Sequence, residues 1–385
     1  MIFNTITFVL FSLLAFWAGY YFFFAVAGRL LPNRQFPSAR RYRKMRVFIP
    51  AYKEDAVILS TAMQAAQNPY PAKEIVVIAD SLRTETLQKL SELPVCVVEV
   101  SFEKSTKAKA INRTLEEIQE PAEVAVILDA DNVMADDFLY SINNAVDARN
   151  LVVQGHRVAK NTNTPFAMLD ACSEEINNHI FRKGHVALGL SAALIGSGMA
   201  FDYPLFREIM QEIRAVGGFD KELELRLLKR NVHFAYAEDA MVYDEKVQST
   251  EVFQHQRRRW LSAQWHYFTS HFVDALKALF LKGNLDYFNK ALQNLQVPRL
   301  LLLGMSTMMT ILSWWLPFYP APYLWLALWL TTVLSLGIAM PNWYLRKDFW
   351  LSLQYLPRAF FSMFLLLFRL KGANKSFIHT PHNQQ

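Results

Sequence analysis

Two stretches without a charged side chain bracket this chain and limit its architecture before any motif is considered. Residues 2 to 28 carry no charge, and Thr5 to Ala27 alone is long enough to cross a hydrocarbon core of about 30 Å as a helix. No charged side chain stands between Leu300 and Leu345 either, and Pro317, Pro320 and Pro322 divide that run. The division predicts two spans, about 298 to 316 and 322 to 340, joined by a tight turn. The first run lacks a basic leader and a small-residue cleavage site, so it reads as an uncleaved anchor. Arg29, Arg34, Arg40, Arg41, Arg43, Lys44 and Arg46 follow it with no acid before Glu54, and Arg346 and Lys347 follow the second run. By the positive-inside rule both ends face the cytoplasm, which predicts a multi-pass protein of the cytoplasmic membrane. The formal charge of +6 is then topology and a lipid-facing surface. The globular part shows no basic cluster interleaved with stacking aromatics, so no nucleic acid is expected as a partner. Cys96 and Cys172, two apolar-set cysteines, support neither a zinc site nor a disulfide framework and fit a reducing compartment.

Between the charge-free runs the chain alternates short apolar segments with helical ones. Arg46 to Pro50, Glu74 to Asp80, Val95 to Val100 and Val124 to Leu128 read as strands with helices between them, the pattern of a parallel sheet. No G-x-G-x-x-G follows the first strand, which argues against a dinucleotide cofactor. The fourth strand ends in AVILDADN, so Asp129 and Asp131 emerge at a sheet edge, where open α/β sheets bind ligands. Two carboxylates there can hold Mg²⁺ or Mn²⁺ and so neutralise a nucleotide diphosphate; they could equally cap the next helix. Further on, Leu151 to Gln154 and Val232 to Tyr236 read as strands. Pro165 to about Val186 and Phe219 to Lys229 read as helices, Ile195 to Phe201 as a glycine-broken strand or turn, and Thr250 to about Phe280 as an amphipathic interfacial helix.

The motifs, in order, are IPAYKED after strand one, Asp80 ending strand two, K-A-x-A-x-N from Lys107, and DAD at 129 to 131. GSGMAF, DKELELRLL from Asp220 and Q-x-x-R-W at Gln256 to Trp260 follow. This ordered set resembles the membrane-embedded family 2 glycosyltransferases, among them the cellulose, chitin, hyaluronan and poly-N-acetylglucosamine synthases. The resemblance implies a GT-A fold, a Rossmann-like mixed α/β sheet with transmembrane and interfacial helices, and inverting transfer from a UDP-sugar. It divides the chain into an anchor (1–28), a cytoplasmic catalytic domain (29–249), interfacial helices carrying Q-x-x-R-W (250–295), two transmembrane helices (296–341), and an interfacial helix with a cytoplasmic tail (342–385).

Carried over residue by residue, the resemblance puts Ala51, Tyr52 and Glu54 at the uracil and ribose and Asp80 beside the base. Lys107 lies near the diphosphate, Asp129 takes a ribose or phosphate contact, and Asp131 holds the metal. Met singly, these residues would read as a surface aromatic, dipole partners and caps. The general base has two candidates. The pattern D-x-E-L-x-L-x-L-L from Asp220 to Asn231, with Asn231 where glycine is usual, selects Asp220 over Asp239, with Glu222 in reserve and Phe219 replacing the usual preceding acid. Arg259 would hold the leaving diphosphate, and Gln256 and Trp260 line the acceptor end. Arg257 to Arg259 could instead grip anionic lipid headgroups. The expected acceptor is the growing end of a polysaccharide, which Q-x-x-R-W favours, with a lipid-linked molecule met once as the alternative. A non-catalytic scaffold is disfavoured because Asp131, Asp220 and Q-x-x-R-W are all present. Residues 349 to 370 are expected to lie along the membrane surface, since Arg358 and Pro357 interrupt them, and the tail SFIHTPH resembles a gating loop.

Overall fold

The computed structural model describes residues 2–32, 35–215, 217–246, 250–317 and 319–366, with residue 2 and residues 250–256 described in backbone only. Eight strands form one sheet: β1 (Met45–Tyr52), β2 (Lys73–Asp80), β3 (Cys96–Val100), β4 (Val124–Ile127), β5 (Val133–Met134), β6 (Val152–Ala159), β7 (Met199–Asp202) and β8 (Phe234–Asp244). Their order is β3-β2-β1-β4-β7-β6-β8-β5. β1 lies between β2 and β4, parallel to both, so the carboxyl ends of these three strands open on one edge at the point where the strand order reverses.

The expected parallel sheet ends at β4. β7 runs antiparallel to both β4 and β6 because the segment before it doubles back at Gly198, whose φ of +61° favours glycine. Its amide donates to the Ile127 carbonyl at 2.9 Å and its carbonyl accepts from the Gly155 amide at 2.8 Å. The inner strands alternate between two cores. Phe48, Val76 and Ile78 pack with Ile111 and Leu223 on one face, while Val47, Ile49 and Val77 pack with Ile58 and Leu139 on the other. Arg46 is the exception in β1. It is fully buried, and its guanidinium donates to Glu74 at 2.9 and 3.0 Å, to the Tyr203 hydroxyl at 2.6 Å and to the Glu120 carbonyl at 3.0 Å. Arg43 pairs with Asp147 at 2.7 Å and Arg41 with Glu123 at 2.5 Å, so three of the basic residues after the first helix fasten the chain to the domain.

The helix expected from Pro165 to Val186 is regular only to Asn177; a π-helical turn, Asn178–Gly184, follows, and then His185–Ala187. The widened turn lies against the helix Ile2–Leu30. A Cβ on Gly184 would sit 2.2 Å from the Phe24 carbonyl oxygen, and the His185 ring stacks on Phe24 at 3.8 Å. The hydrophobic pattern carries no trace of this, since a π turn inserts one residue without changing which residues are apolar.

Phe3–Leu30 and Pro322–Ala339 are long and apolar enough to cross a membrane. Arg299–Ser313 is shorter than the predicted 298–316, and the chain goes on in a turn to Pro317 with the amides of Trp315 and Leu316 donating to the Leu312 carbonyl at 3.1 and 3.0 Å. The three pack together through Leu14, Trp17, Tyr21, Leu302, Trp325 and Leu328. Thr250–Lys282 is one helix of 33 residues, but its apolar side chains divide between faces. Ala263, Tyr267 and Ala275 are buried against the domain, whereas Trp265, Val273, Phe280 and Leu281 are exposed. The segment after Leu345 is broken into Lys347–Ser352, a 3₁₀ turn and Leu356–Leu366, the last packing its Phe360 ring on Gly304. The tail motif SFIHTPH lies outside the described residues.

Candidate active site

Register places the first donor residues together. Ala51 faces Ala79 and Tyr52 faces Asp80 across β1 and β2, and the Lys53 amide, at a left-handed φ of 56°, donates to the Asp80 carbonyl at 3.1 Å. The Asp80 carboxylate accepts from Ser81 Oγ at 3.0 Å and Ser105 Oγ at 3.1 Å; burial raises its pKa against those two donors. Glu54 is buried at the turn that opens the helix Ile58–Gln67, its carbonyl accepting from the amides of Val57 and Ile58. Asp55 was not singled out in the sequence. It ties this turn to the one after β2 by accepting from the Arg83 amide at 2.8 Å and Thr86 Oγ1 at 2.6 Å.

At the end of β4, Asp129 and Lys107 form an ion pair at 2.5 Å, and Lys107 also donates to the Gly196 carbonyl at 2.7 Å. Lys107 begins the helix Lys107–Glu117, whose N-cap Thr106 accepts from the Lys109 amide, so this loop is fixed from both sides. Asp131 is 7% exposed. β5 pairs with β8 and brings Asn132 between two carboxylates: its amide donates to Asp131 Oδ1 at 3.0 Å and to Asp244 Oδ1 at 2.9 Å. Behind Asp244 stands a buried charge network. Lys246 reaches Asp244 at 2.7 Å, Arg157 reaches Glu174 at 2.9 Å and Asp244 at 3.7 Å, and Arg182 and Lys246 approach Glu174 at 3.6 and 3.7 Å. Burial alone would raise both acids; the surrounding cations prevail and hold Glu174 down at about 2 and Asp244 well below the usual range. Sequence spacing could not find this network, because its members come from β6, β8 and the residues after it, the helix Pro165–Asn177 and the π turn Asn178–Gly184.

Asp220 opens the helix Phe219–Lys229, which begins and ends where expected. Gly218 precedes it at φ +70°, where a Cβ would meet the Tyr267 ring at 2.9 Å. Asn231 takes the left-handed conformation that closes the helix, at φ 58°, which explains asparagine where glycine is usual. Burial raises the Asp220 pKa; Glu224 adds to this, and Lys221 and Lys107 oppose it. Arg259 is a half-buried cation whose pKa burial lowers, with Asp220 and Asp129 close enough to offset part of that. Arg257 pairs with Asp170 at 2.6 Å and lies over the Trp260 ring at 4.4 Å, so it serves the interior and not a lipid surface. The side chain of Gln256 lies outside the described residues.

One cleft of about 1470 Å³ is lined by Ala51, Tyr52, Glu54, Asp80, Lys107, Asp129, Asp131, Asp220, Arg259 and Trp260. Asp239 is an exposed residue of β8 away from the cleft, and Glu222 turns to Arg226 at 2.8 Å and to the Arg214 amide at 3.1 Å. Among the described residues no group of three His, Cys, Asp or Glu is poised to hold a metal.

A half-parallel α/β sheet with these acids at the carboxyl ends of β1, β2 and β4 is the GT-A arrangement of a glycosyltransferase. The mannosyltransferase PcManGT from Pyrobaculum calidifontis, solved with GDP-Man and Mn²⁺, has this fold, with a TM-score of 0.53 at 16% identity over 88% of this chain and 97% of its own. Residues 43–263 match the family model Glycosyltransferase like family 2, and the chain belongs to that family. Glucosyl-3-phosphoglycerate synthase from Mycobacterium tuberculosis, solved with Mn²⁺, UDP and phosphoglyceric acid, aligns less closely, with a TM-score of 0.37 at 15% identity over 54% of this chain and 71% of its own. No curated protein matches at a significant level.

Proposed function

We propose that this enzyme transfers a sugar from a nucleotide-diphosphate donor, a UDP-sugar by the resemblance of its motifs, to a lipid-linked acceptor at the cytoplasmic membrane. The observation that carries the acceptor class is the continuity of the cleft. From Asp131 and Asp220 it extends along Arg299–Ser313 and Pro322–Ala339, where Leu303, Met308, Ile311, Val333 and Leu336 line it. An aliphatic chain fits such a wall, in which Trp329, Trp350, Phe360 and Phe361 stand beside the aliphatic side chains. The growing end of a polysaccharide is the second reading, favoured by Trp260, an indole on the cleft wall beside Arg257.

In this reading the donor base lies by Tyr52 and Asp80, and Lys107 and Arg259 face the diphosphate, where negative charge grows as the glycosidic bond breaks. Asp220, its pKa raised by burial, takes the proton of the acceptor hydroxyl. Asp131, its orientation fixed by Asn132, fits a divalent ion of the kind held by one or two carboxylates plus substrate phosphates. Mg²⁺ or Mn²⁺ bound there would neutralise the diphosphate. The helices Phe3–Leu30, Arg299–Ser313 and Pro322–Ala339 seat the enzyme in the bilayer, with the domain on its cytoplasmic side.

The test is to incubate membranes containing the full chain with radiolabelled UDP-sugars and separate the products. Label entering the organic phase, and lost in the Asp220→Asn variant, is expected. Label found only in a water-soluble polymer would favour the second reading, and none in either would refute the proposal.

A further inference from the structure

Arg299 begins the first helix of the apolar pair, at the place where the cleft wall changes from polar to hydrocarbon. On its polar side stand Ser173, Asp170 and Arg257; on the other, Leu300 and Leu303 continue into the apolar groove. One guanidinium nitrogen, Nη2, donates to the Ser173 carbonyl at 2.9 Å and to Ser173 Oγ at 3.0 Å. The other, Nη1, is shut off from solvent without a hydrogen-bond partner. Its setting differs from that of its neighbours. Arg257 has Asp170, Arg157 and Arg182 have Glu174, and Lys246 has both Glu174 and Asp244. Among the described residues Arg299 faces no carboxylate at ion-pairing distance, and its hydrogen bonds go to Ser173 alone. A guanidinium with an unspent donor, held by Ser173 where the polar and apolar walls of the cleft meet, suits a bidentate or single-edge contact to a phosphate.

We infer that Arg299, held by Ser173, binds the phosphate of a long-chain phosphate ester whose hydrocarbon tail runs down the groove between Arg299–Ser313 and Pro322–Ala339. This rests on the lipid-linked reading above and names the group by which such an acceptor is recognised. The helix Thr250–Lys282 borders the cleft that joins this site to the donor end. On it Arg259 lies in the electrostatic field of Asp220 and Asp129, while Arg257, two residues earlier, pairs with Asp170 at 2.6 Å. The two anions of the reaction are thereby received by different arginines, the donor diphosphate by Arg259 and the acceptor phosphate by Arg299.

The experiment titrates the full-length protein, in nanodiscs of neutral phosphatidylcholine, with dodecyl phosphate, inorganic phosphate and phosphatidylglycerol, and separately with UDP. Wild-type protein is expected to bind dodecyl phosphate at least tenfold more tightly than Arg299→Gln does, with Arg299→Lys between them, and to bind inorganic phosphate and phosphatidylglycerol more weakly. Gly337→Leu adds a side chain at a cleft position where a Cβ meets no neighbour, and it should weaken dodecyl phosphate but not inorganic phosphate. UDP affinity should be the same in all variants, which reports that they are folded. Equal binding of dodecyl phosphate by Arg299→Gln and wild type overturns the inference, as does equal affinity for phosphatidylglycerol. Failure of the wild type to bind UDP would instead count against the glycosyltransfer reading and leave the Arg299 comparison intact.

Discussion

Glu174→Gln is the substitution whose cost the structure specifies most closely. Glu174 is 5% exposed and is the shared counter-charge of Arg157, Arg182 and Lys246 at 2.9, 3.6 and 3.7 Å. Its pKa falls from an ordinary 4.5 to about 2 because those cations outweigh its burial. At 1.36 kcal/mol per pH unit this difference corresponds to about 3 kcal/mol of stability, in line with the roughly 3–5 kcal/mol lost when one partner of a buried pair is removed. Glutamine keeps the shape but leaves three buried cations with Asp244 as the remaining acid of the network. The effect should reach the site, because Arg157 and Lys246 hold Asp244, Asp244 holds Asn132, and Asn132 holds Asp131. Thermal unfolding of the detergent-solubilised protein at pH 7 should fall by roughly 6–12 °C, at about 2–4 °C per kcal/mol for a domain of this size. The sign with pH follows from a depressed carboxyl: its contribution is complete above the unfolded value and is lost as pH falls toward 2. Wild type and variant should therefore converge in acid. An unchanged melting temperature at pH 7, or a gap that widens in acid, would refute the reasoning.

Asp220→Asn should lower transfer by roughly 10²- to 10⁴-fold while UDP binding is kept, and Asp239→Asn should stay within about twofold of wild type; kinetics and titration of both variants check this. The acidic limb of the pH–rate profile should lie above the ordinary aspartate range, since burial raises Asp220, and rates should rise with pH through it as the base loses its proton. Lys221→Met removes a cation that lowers that value and should move the limb to higher pH. Lys107→Met should weaken UDP binding by roughly tenfold to a hundredfold in calorimetry, the worth of a charge-assisted contact, with little loss of stability because Asp129 is 35% exposed.

The parts of this architecture that read directly from the sequence are those governed by local rules. The helix Phe219–Lys229 lies where its leucine spacing puts it, and β1, β2 and β4 fall on their apolar runs. The parts that did not read are set by contacts distant in the chain. The antiparallel β7, the π turn at Asn178–Gly184 packed on Phe24, and the network that positions Asp131 through Asn132 and Asp244 depend on partners from other strands and helices. Arg257, which sequence left between lipid and protein, is claimed by Asp170. Ordered motifs brought most of the candidate site into one cleft; the residues that brace it carry no motif.

The most direct test of a metal-assisted glycosyltransferase reading is release of nucleoside diphosphate by the purified full-length protein from a panel of UDP- and GDP-sugars, with Mn²⁺, with Mg²⁺ and with EDTA. One donor should be turned over in the presence of a divalent ion, and EDTA or Asp131→Asn should reduce release to background while the variant keeps the wild-type melting curve. Release that survives both EDTA and Asp131→Asn would contradict the account.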